Sequence, residues 1–293
     1  MGEAVALDLA PPVDAGQAPS PTSFVVLSWN VWVGRGRLLD VVDRLAAGKL
    51  GVPGDLPAVL LIQEAYRRDD SVPERSNGYA PRELLTRIRP RQDIAEVARR
   101  LGWNLRYIPS MRNGAERSDR GNAILTPLPL GPATAIELPL VLQRRVAVAA
   151  AVTVAGRPVR LVSAHLAPRG PAGYKWLGAA GRALQAAHLL TEVEDPTVVL
   201  GADLNLGRGR IERAWRLLME AEFEFGVPPE PPSWRHTYHA LPRLVLDYIL
   251  IRNRAGAMRS TWVRRVDEDP SDRGPDVFGS DHHPLLARID LAP

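Results

Sequence analysis

Five short strings place acid, amide or imidazole side chains at the ends of apolar runs. They are LSWNVW with Asn30, LLIQE with Glu64, LVSAHL with His165, VVLGADLN with Asp203 and Asn205, and SDHHP with Asp281 and His282. Such runs read as buried strands, and groups set at strand ends are how α/β folds gather distant residues into one cleft. The chain contains no cysteine, so thiolate ligands and disulfides are excluded and any metal must be held by oxygen or imidazole. Hydrolysis of a phosphate ester needs a cation against the non-bridging oxygens, a base for the attacking water and help for the leaving oxygen. These residue types supply all three.

Each side chain also has a plainer reading. Glu64 follows the apolar run AVLLIQ, where an isolated charge is costly, so it is either a metal ligand or the partner of Arg67 or Arg68. Asn30 offers a neutral oxygen to the same cation, orients Glu64, or is a turn residue. Asp203 and Asn205 alternate along GADLN and would share a face in extended geometry; the alternative is an Asx turn closing the strand. Asp247, in LDYIL, is expected to accept a hydrogen bond from His282 and fix its tautomer, or else to pair with Arg243. His165 would donate to a phosphate or leaving oxygen, or be a satisfied structural histidine. Asn122 and Arg145 are further phosphate contacts, although Arg144 or Arg145 could instead be a solvated strand entrance.

Taken in order, LSWN, QE, RGNAIL (Arg120 to Leu125), SAHL, GADLN, LDYIL (Leu246 to Leu250) and SDHHP resemble the motifs of the endonuclease/exonuclease/phosphatase superfamily. That group includes DNase I, exonuclease III-type apurinic endonucleases, neutral sphingomyelinases and inositol polyphosphate 5-phosphatases. The match runs from Phe24 to Leu291. The resemblance implies that Asp203 contacts the attacking water or the metal and that Asn205 donates to the phosphate. It also implies that Asp281 binds or sits beside the metal and that His282, the first histidine of SDHHP, is the general base. His283 is then a helper or a packed side chain. Hard oxygen ligands imply Mg2+, with Mn2+ able to substitute.

Strand-like runs cover Phe24 to Trp29, Ala58 to Gln63, Leu105 to Pro109, Asn122 to Thr126, Val146 to Val154, Val159 to Ala164, Val198 to Ala202, Val245 to Ile251 and Leu285 to Leu291. Helical spacing covers Arg37 to Ala47, Gln92 to Leu101, Gly173 to Glu194 and Arg210 to Glu222. The short turn Ala155, Gly156, Arg157 predicts a hairpin, hence antiparallel pairing. The expected fold is α/β, a four-layer αββα sandwich of two mixed, largely antiparallel sheets with flanking helices, as the resemblance also implies. Long polar loops are expected at Gly48 to Pro57, Arg67 to Arg91, Arg112 to Asp119, Pro168 to Lys175, Gly226 to Pro242 and Asp267 to Gly279. Residues 1–22 read as a disordered arm and residues 23–293 as one domain, because the site draws on positions 30 to 282. Gly34 and Gly36 mimic a dinucleotide fingerprint, but position 39 is Leu, so they are read as a tight turn.

Basic residues exceed acidic ones by four, and 35 of the 37 are Arg. That suits a polyanionic partner, though Arg with abundant Ala, Pro and Gly is also what a GC-rich genome produces. No cationic leader and no apolar run of membrane-spanning length is present, so a cytoplasmic protein is expected, with export open if a leader was removed. The Glu64 segment lacks the lysine of apurinic endonucleases, and a histidine stands where those enzymes use tyrosine. The expectation is therefore a metal-dependent phosphodiester hydrolase, first a nuclease and alternatively a sphingomyelinase-like or small-molecule or lipid phosphoesterase. A non-catalytic phosphate-binding module is the alternative of another class. Trp32, Trp176 and Trp234 are placed to stack bases, to meet a membrane surface, or to pack.

Overall fold

The apolar runs become strands because both of their faces are covered. In β2 (Ser23–Asn30) every residue after the first is buried. Val25, Leu27 and Trp29 enter one hydrophobic cluster, while Phe24 and Val26 enter another. The two-residue period of a strand sorts one run into two layers. β3 (Ala58–Arg68) divides in the same way, Leu60 and Ile62 against Val59 and Leu61. In the second sheet, β9 (Thr197–Asp203) sends Val199 to the shared middle layer and Val198, Leu200 and Ala202 to the opposite side.

The computed structural model describes residues 2–11, 21–73, 90–113, 116–168, 178–225, 236–240, 243–267 and 277–292. The remaining strands are β1 (Val5–Leu7), β4 (Asn104–Asn113), β5 (Ser118–Thr126), β6 (Thr134–Leu138), β7 (Arg145–Val154), β8 (Arg157–His165), β10 (Phe223–Phe225), β11 (Asp247–Asn253), β12 (Met258–Arg265) and β13 (Leu285–Leu291). One sheet has the order β1-β4-β5-β3-β2-β13-β12, the other β10-β11-β9-β8-β7-β6. Helices α1 (Leu38–Ala46) and α2 (Ile94–Leu101) bury apolar faces in the outer cluster of the first sheet. α3 (Ala179–Glu192) and α4 (Arg213–Glu220) do so on the second. The result is the four-layer αββα sandwich.

Each sheet has one parallel pair at its heart, β2 with β3 and β8 with β9, joined through α1 and α3 respectively. All the other named strand pairs run antiparallel. The carboxyl ends of both parallel pairs and the amino ends of their antiparallel neighbours β11 and β13 therefore lie along one rim. In register across the second sheet, His165 pairs with Asp203 and Asp203 with Asp247.

Four expectations need correction. β1 pairs with β4, Val5 opposite Tyr107, so the part of the N-terminal arm around it is structured; residues 12–20 lie outside the described residues. The runs at Ala58 and Leu105 extend to Arg68 and Asn113, and β5 begins at Ser118, so strand takes the first two residues of the stretch Arg67 to Arg91 and both ends of the stretch Arg112 to Asp119, each expected to be a loop; residues 74–89 lie outside the described residues. Four strands lacked a run long enough to be predicted: β1, β6, β10 and β12. The stretch from Arg210 is a 3-10 turn (Gly209–Ile211) followed by α4, with Glu212 between them. The hairpin between β7 and β8 does form, with Ala155 and Gly156 at φ 51° and 72°, the two left-handed residues that a type I′ turn requires. Gly34 and Gly36 lie in a turn that bonds Gly34 N to Glu64 O.

Glu212 is not spare. Its carboxylate accepts from Arg182 Nε at 2.8 Å and Nη2 at 2.7 Å, with both side chains fully buried between α3 and α4. Glu212→Gln leaves a buried guanidinium without its counter-charge, so denaturant titration should show a loss of about 3–5 kcal/mol. The paired replacement Arg182→Met with Glu212→Leu should cost far less. Equal losses in the single and the paired variants would show that packing rather than charge pairing is at stake.

Candidate active site

Along the rim, Asp203 is the hub. Its Oδ2 accepts from Asn30 Nδ2 at 2.9 Å and lies 3.3 Å from His165 Nε2 and 3.9 Å from His282 Nε2. Its Oδ1 accepts from the backbone N–H of Asn205 at 3.0 Å. The strand ends at Asp203, and Asn205 is left-handed at φ 51°, so the pair is an Asx turn and not the shared face of an extended strand. Asn205 Nδ2 donates to Leu166 O, tying the ends of β8 and β9 together. Asn30 takes Asp203 as its partner rather than Glu64, while its Oδ1 receives the Trp32 N–H.

His282 Nδ1 and Asp247 Oδ2 are 2.8 Å apart, with both side chains buried, as expected of a carboxylate that fixes an imidazole. Asp247 is thus not an Arg243 partner. Two positions that the sequence reading passed over hold this pair in place. Thr237 Oγ1 accepts from the N–H groups of Leu246 and Asp247, and Ser280 Oγ accepts from His282 N while donating to Asn30 O. Trp29 Nε1 donates to His282 O across the sheet.

A bulge projects Glu64 toward the rim. The β3–β5 register shifts between Ile62 and Ala65, and Glu64 sits at φ 52°, a strained conformation for a non-glycine residue. Its carboxylate lies 3.6 Å from Arg120 Nη1 and 3.9 Å from His165 Nδ1. Arg67 instead pairs with Asp119. Arg120, in RGNAIL, is thus a site cation that the sequence reading missed. Arg145 is buried, its Nη1 2.9 Å from His165 Nδ1, so it is not a solvated entrance; Arg144 is the one paired with the exposed Glu137. Asn122 donates to Val146 O from inside the sheet.

Behind Glu64, Gln63 bolts the two sheets together. Its Nε2 donates to Leu61 O, Ser163 Oγ and Gly201 O at 3.0–3.2 Å. A Cβ on Gly201 would meet Ser28 Oγ at 2.7 Å and Leu61 Cβ at 2.8 Å, so only glycine permits this approach. The polar letters of LSWN, QE, SAHL and GADLN other than the site residues are this bolt.

The electrostatics follow from burial. Burial, and next the Asp247 carboxylate, push Asp203 up to about 7 against the opposing pull of His282, Asn30 and Arg145. Burial alone would lower His282, but the Asp247 carboxylate and its hydrogen bond, with Asp203 and Asp281, lift it to about 10. Burial, then the positive charges of Arg145, His282 and Arg120, hold His165 well below the usual range. Since Arg145 can only donate, His165 Nδ1 is an acceptor and its proton resides on Nε2. Burial pushes Asp281 up, His282 opposes this, and the Glu64 carboxylate adds to it.

The donor set suits a divalent cation. Asp281 Oδ1 is buried with no hydrogen-bond partner, and both Glu64 oxygens have only long ion pairs. A carboxylate that burial and a neighbouring carboxylate push up, facing that neighbour with oxygens unspent, is what a hard cation satisfies. Asp203, Asp247 and His282 also bring ligand atoms within 4.8 Å of one another.

The model of the Endonuclease/Exonuclease/phosphatase family matches residues 27–282. The chain belongs to that family. Family membership and the clustered ligands make it a metal-dependent phosphoesterase. No curated protein sequence matches the chain. Among solved structures, the human Nocturnin catalytic domain with bound sulfate is 17% identical, covers 99% of this chain and 98% of its own, and has a TM-score of 0.60. An endonuclease/exonuclease/phosphatase from Beutenbergia cavernae is 18% identical over 93% of this chain and 72% of its own, TM-score 0.60. D. rerio TDP2 complexed with a single-strand DNA product is 16% identical over 92% of this chain and 100% of its own, TM-score 0.59. At these identities the likeness is one of fold. Among the described residues of this family member, no helix is long and apolar enough to cross a membrane.

Proposed function

We propose that this family member hydrolyses phosphodiesters of nucleic acid with Mg2+, for which Mn2+ can substitute, and that residues 23–293, extended by β1, act as one domain. The observation that carries the reading is the convergence of Glu64, His165, Asp203, Asp247, Asp281 and His282 on one rim from five separate segments. A module that merely bound phosphate would have no use for a carboxylate-held imidazole beside a second carboxylate, and this argues against the non-catalytic alternative.

Glu64 and Asp281 would hold the cation, with Asn30 Oδ1 beside them. When bound, it neutralises the non-bridging oxygens and the developing charge on the leaving oxygen. Asp203, held by Asn30 and titrating near neutrality, takes the proton of the attacking water. The base is placed here rather than at His282, whose proton the Asp247 carboxylate holds, so that His282 instead presents Nε2–H to a phosphoryl oxygen. His165 donates from Nε2 on the other side of Asp203, and Arg120 and Arg145 supply positive charge for the phosphate. Trp32, after β2, carries the Arg35 guanidinium 4.0 Å over its ring and is available as a base platform only if that cation moves; Trp176 and Trp234 lie outside the described residues.

The test is a screen of linear and plasmid DNA, RNA, sphingomyelin, inositol phosphates and bis-p-nitrophenyl phosphate, with and without EDTA. Turnover should be confined to nucleic acid and the simple diester, stop in EDTA and return with Mg2+ or Mn2+. Undiminished turnover in chelator would sink the metal assignment, and a preference for sphingomyelin would move the substrate to lipid.

A further inference from the structure

The second histidine of SDHHP turns away from the catalytic rim. Whereas His282 faces Asp247, the His283 ring meets His236 and His239, with ring centroids 5.3 Å from each. The three imidazoles bring ligand nitrogens within 4.8 Å of one another. His239 Nδ1 and His283 Nε2 are 3.3 Å apart. Two nitrogens at about 2.0–2.1 Å from one tetrahedral ion lie about 3.3–3.4 Å from each other, so this pair already spans one edge of such a site.

The surroundings have the form that supports a metal-bound imidazole. His283 directs its other nitrogen, Nδ1, at Asp267 Oδ1, 3.3 Å away, with Val266 O at 3.4 Å. A carboxylate there fixes the tautomer that leaves Nε2 bare for an ion. Asp267 also receives Arg265 Nε, which absorbs the nearest cation's charge. The backbone is set independently of any ion. His239 N donates to Asp281 O, His283 N donates to Thr237 O, and Arg265 Nη1 donates to His236 O. His283 is buried, while His236 and His239 are only partly so and can turn to close the set.

We propose that His236, His239 and His283 form a second metal site, an imidazole site of the zinc class separate from the oxygen-rich catalytic centre, whose ion fastens the 236–239 segment to the stretch carrying Asp281 and His282. Three neutral nitrogens favour zinc or cobalt over Mg2+, which prefers oxygen. The fourth position belongs to solvent, as Asp267 is engaged by His283 and Arg265. Since Thr237, between the two loop histidines, holds the N–H of Asp247, the ion stabilises the segment that positions the catalytic pair.

Full-length protein stripped with chelator and dialysed is titrated with Zn2+ against a chromophoric competitor, and separately with Co2+ while visible absorption is recorded. With Mg2+ kept saturating at the catalytic centre, one tight Zn2+ per chain is expected, together with the strong visible bands of four-coordinate cobalt. His239→Gln and His236→Ala should weaken zinc by more than about 100-fold, and Asp267→Asn by about 10–100-fold. His282→Ala should leave zinc affinity unchanged. Zinc should raise Tm in the wild type and not in His239→Gln. Zinc affinity that survives His239→Gln, or that is lost in His282→Ala instead, places the ion at the catalytic cluster and overturns the proposal. So does six-coordinate cobalt or the absence of saturable binding in the wild type.

Discussion

His282→Ala and Asp247→Asn should each lower kcat by about 10²–10⁴, and the double variant should be little slower than His282→Ala alone. The reason is the 2.8 Å contact between His282 Nδ1 and Asp247 Oδ2, both buried. A carboxylate that holds and charges an imidazole has nothing to act upon once the imidazole is gone, so the two losses cannot multiply. Asp247→Asn keeps the shape and removes the charge, which deprives His282 of the strongest interaction that lifts its proton affinity. The measurement is a four-member cycle of single-turnover rates at saturating Mg2+. Losses that multiply would mean that the two residues act on separate steps, and Asp247 would then be reassigned to contact with the cation or the water.

The same contact shows where sequence reading succeeds. Residues at strand ends could be placed because the runs before them are buried on both faces and so remain apolar over their length, as in Val198 to Ala202. Strands without a continuous buried run had no such signature. β6 reads exposed, exposed, buried, exposed, buried, and β1 and β10 are three residues each at sheet edges, so their pairing is set by the neighbouring strand and not by their own pattern.

Within the site, the order of the motifs picked out side chains that the structure brings together on one rim, but not always their partners. The Asx turn at Asp203 and the bulge at Glu64 are local backbone events, and a single extra residue changes which way a carboxylate points. Gln63, Ser163 and Thr237 were passed over for a different reason. Their work is done on backbone groups contributed by distant segments, Gly201 O and Asp247 N among them, so nothing in their own neighbourhood signals it. His236 and His239 have the same character, being three apart in a polar stretch and completed only by His283. Arg120 had a signal in RGNAIL, where an arginine adjoins the Gly121–Asn122 pair, but only the asparagine is read there as a phosphate contact.

Asp203→Asn should remove as much rate as losing a general base costs, about 10²–10⁴, and should erase one limb of the pH profile. In the wild type, Asp203 is raised to about 7, so it is an unprotonated base only above that value and the rate should climb as pH rises through it. His282 is raised to about 10, so it is a charged donor only below that value and the rate should fall as pH passes it. The expected curve is a plateau bounded near those two values. A cation at Glu64 and Asp281 favours the ionised carboxylate, so saturating Mg2+ should carry the lower limb further toward acid, while leaving it with Asp203. Asp203→Asn should lose that limb and keep the alkaline one. The opposite assignment, with His282 as the base, requires the rate to climb only as pH approaches 10. A profile of kcat against pH at two Mg2+ concentrations therefore separates the two carriers of the proton. Retention of the lower limb in Asp203→Asn would return the role of base to another group.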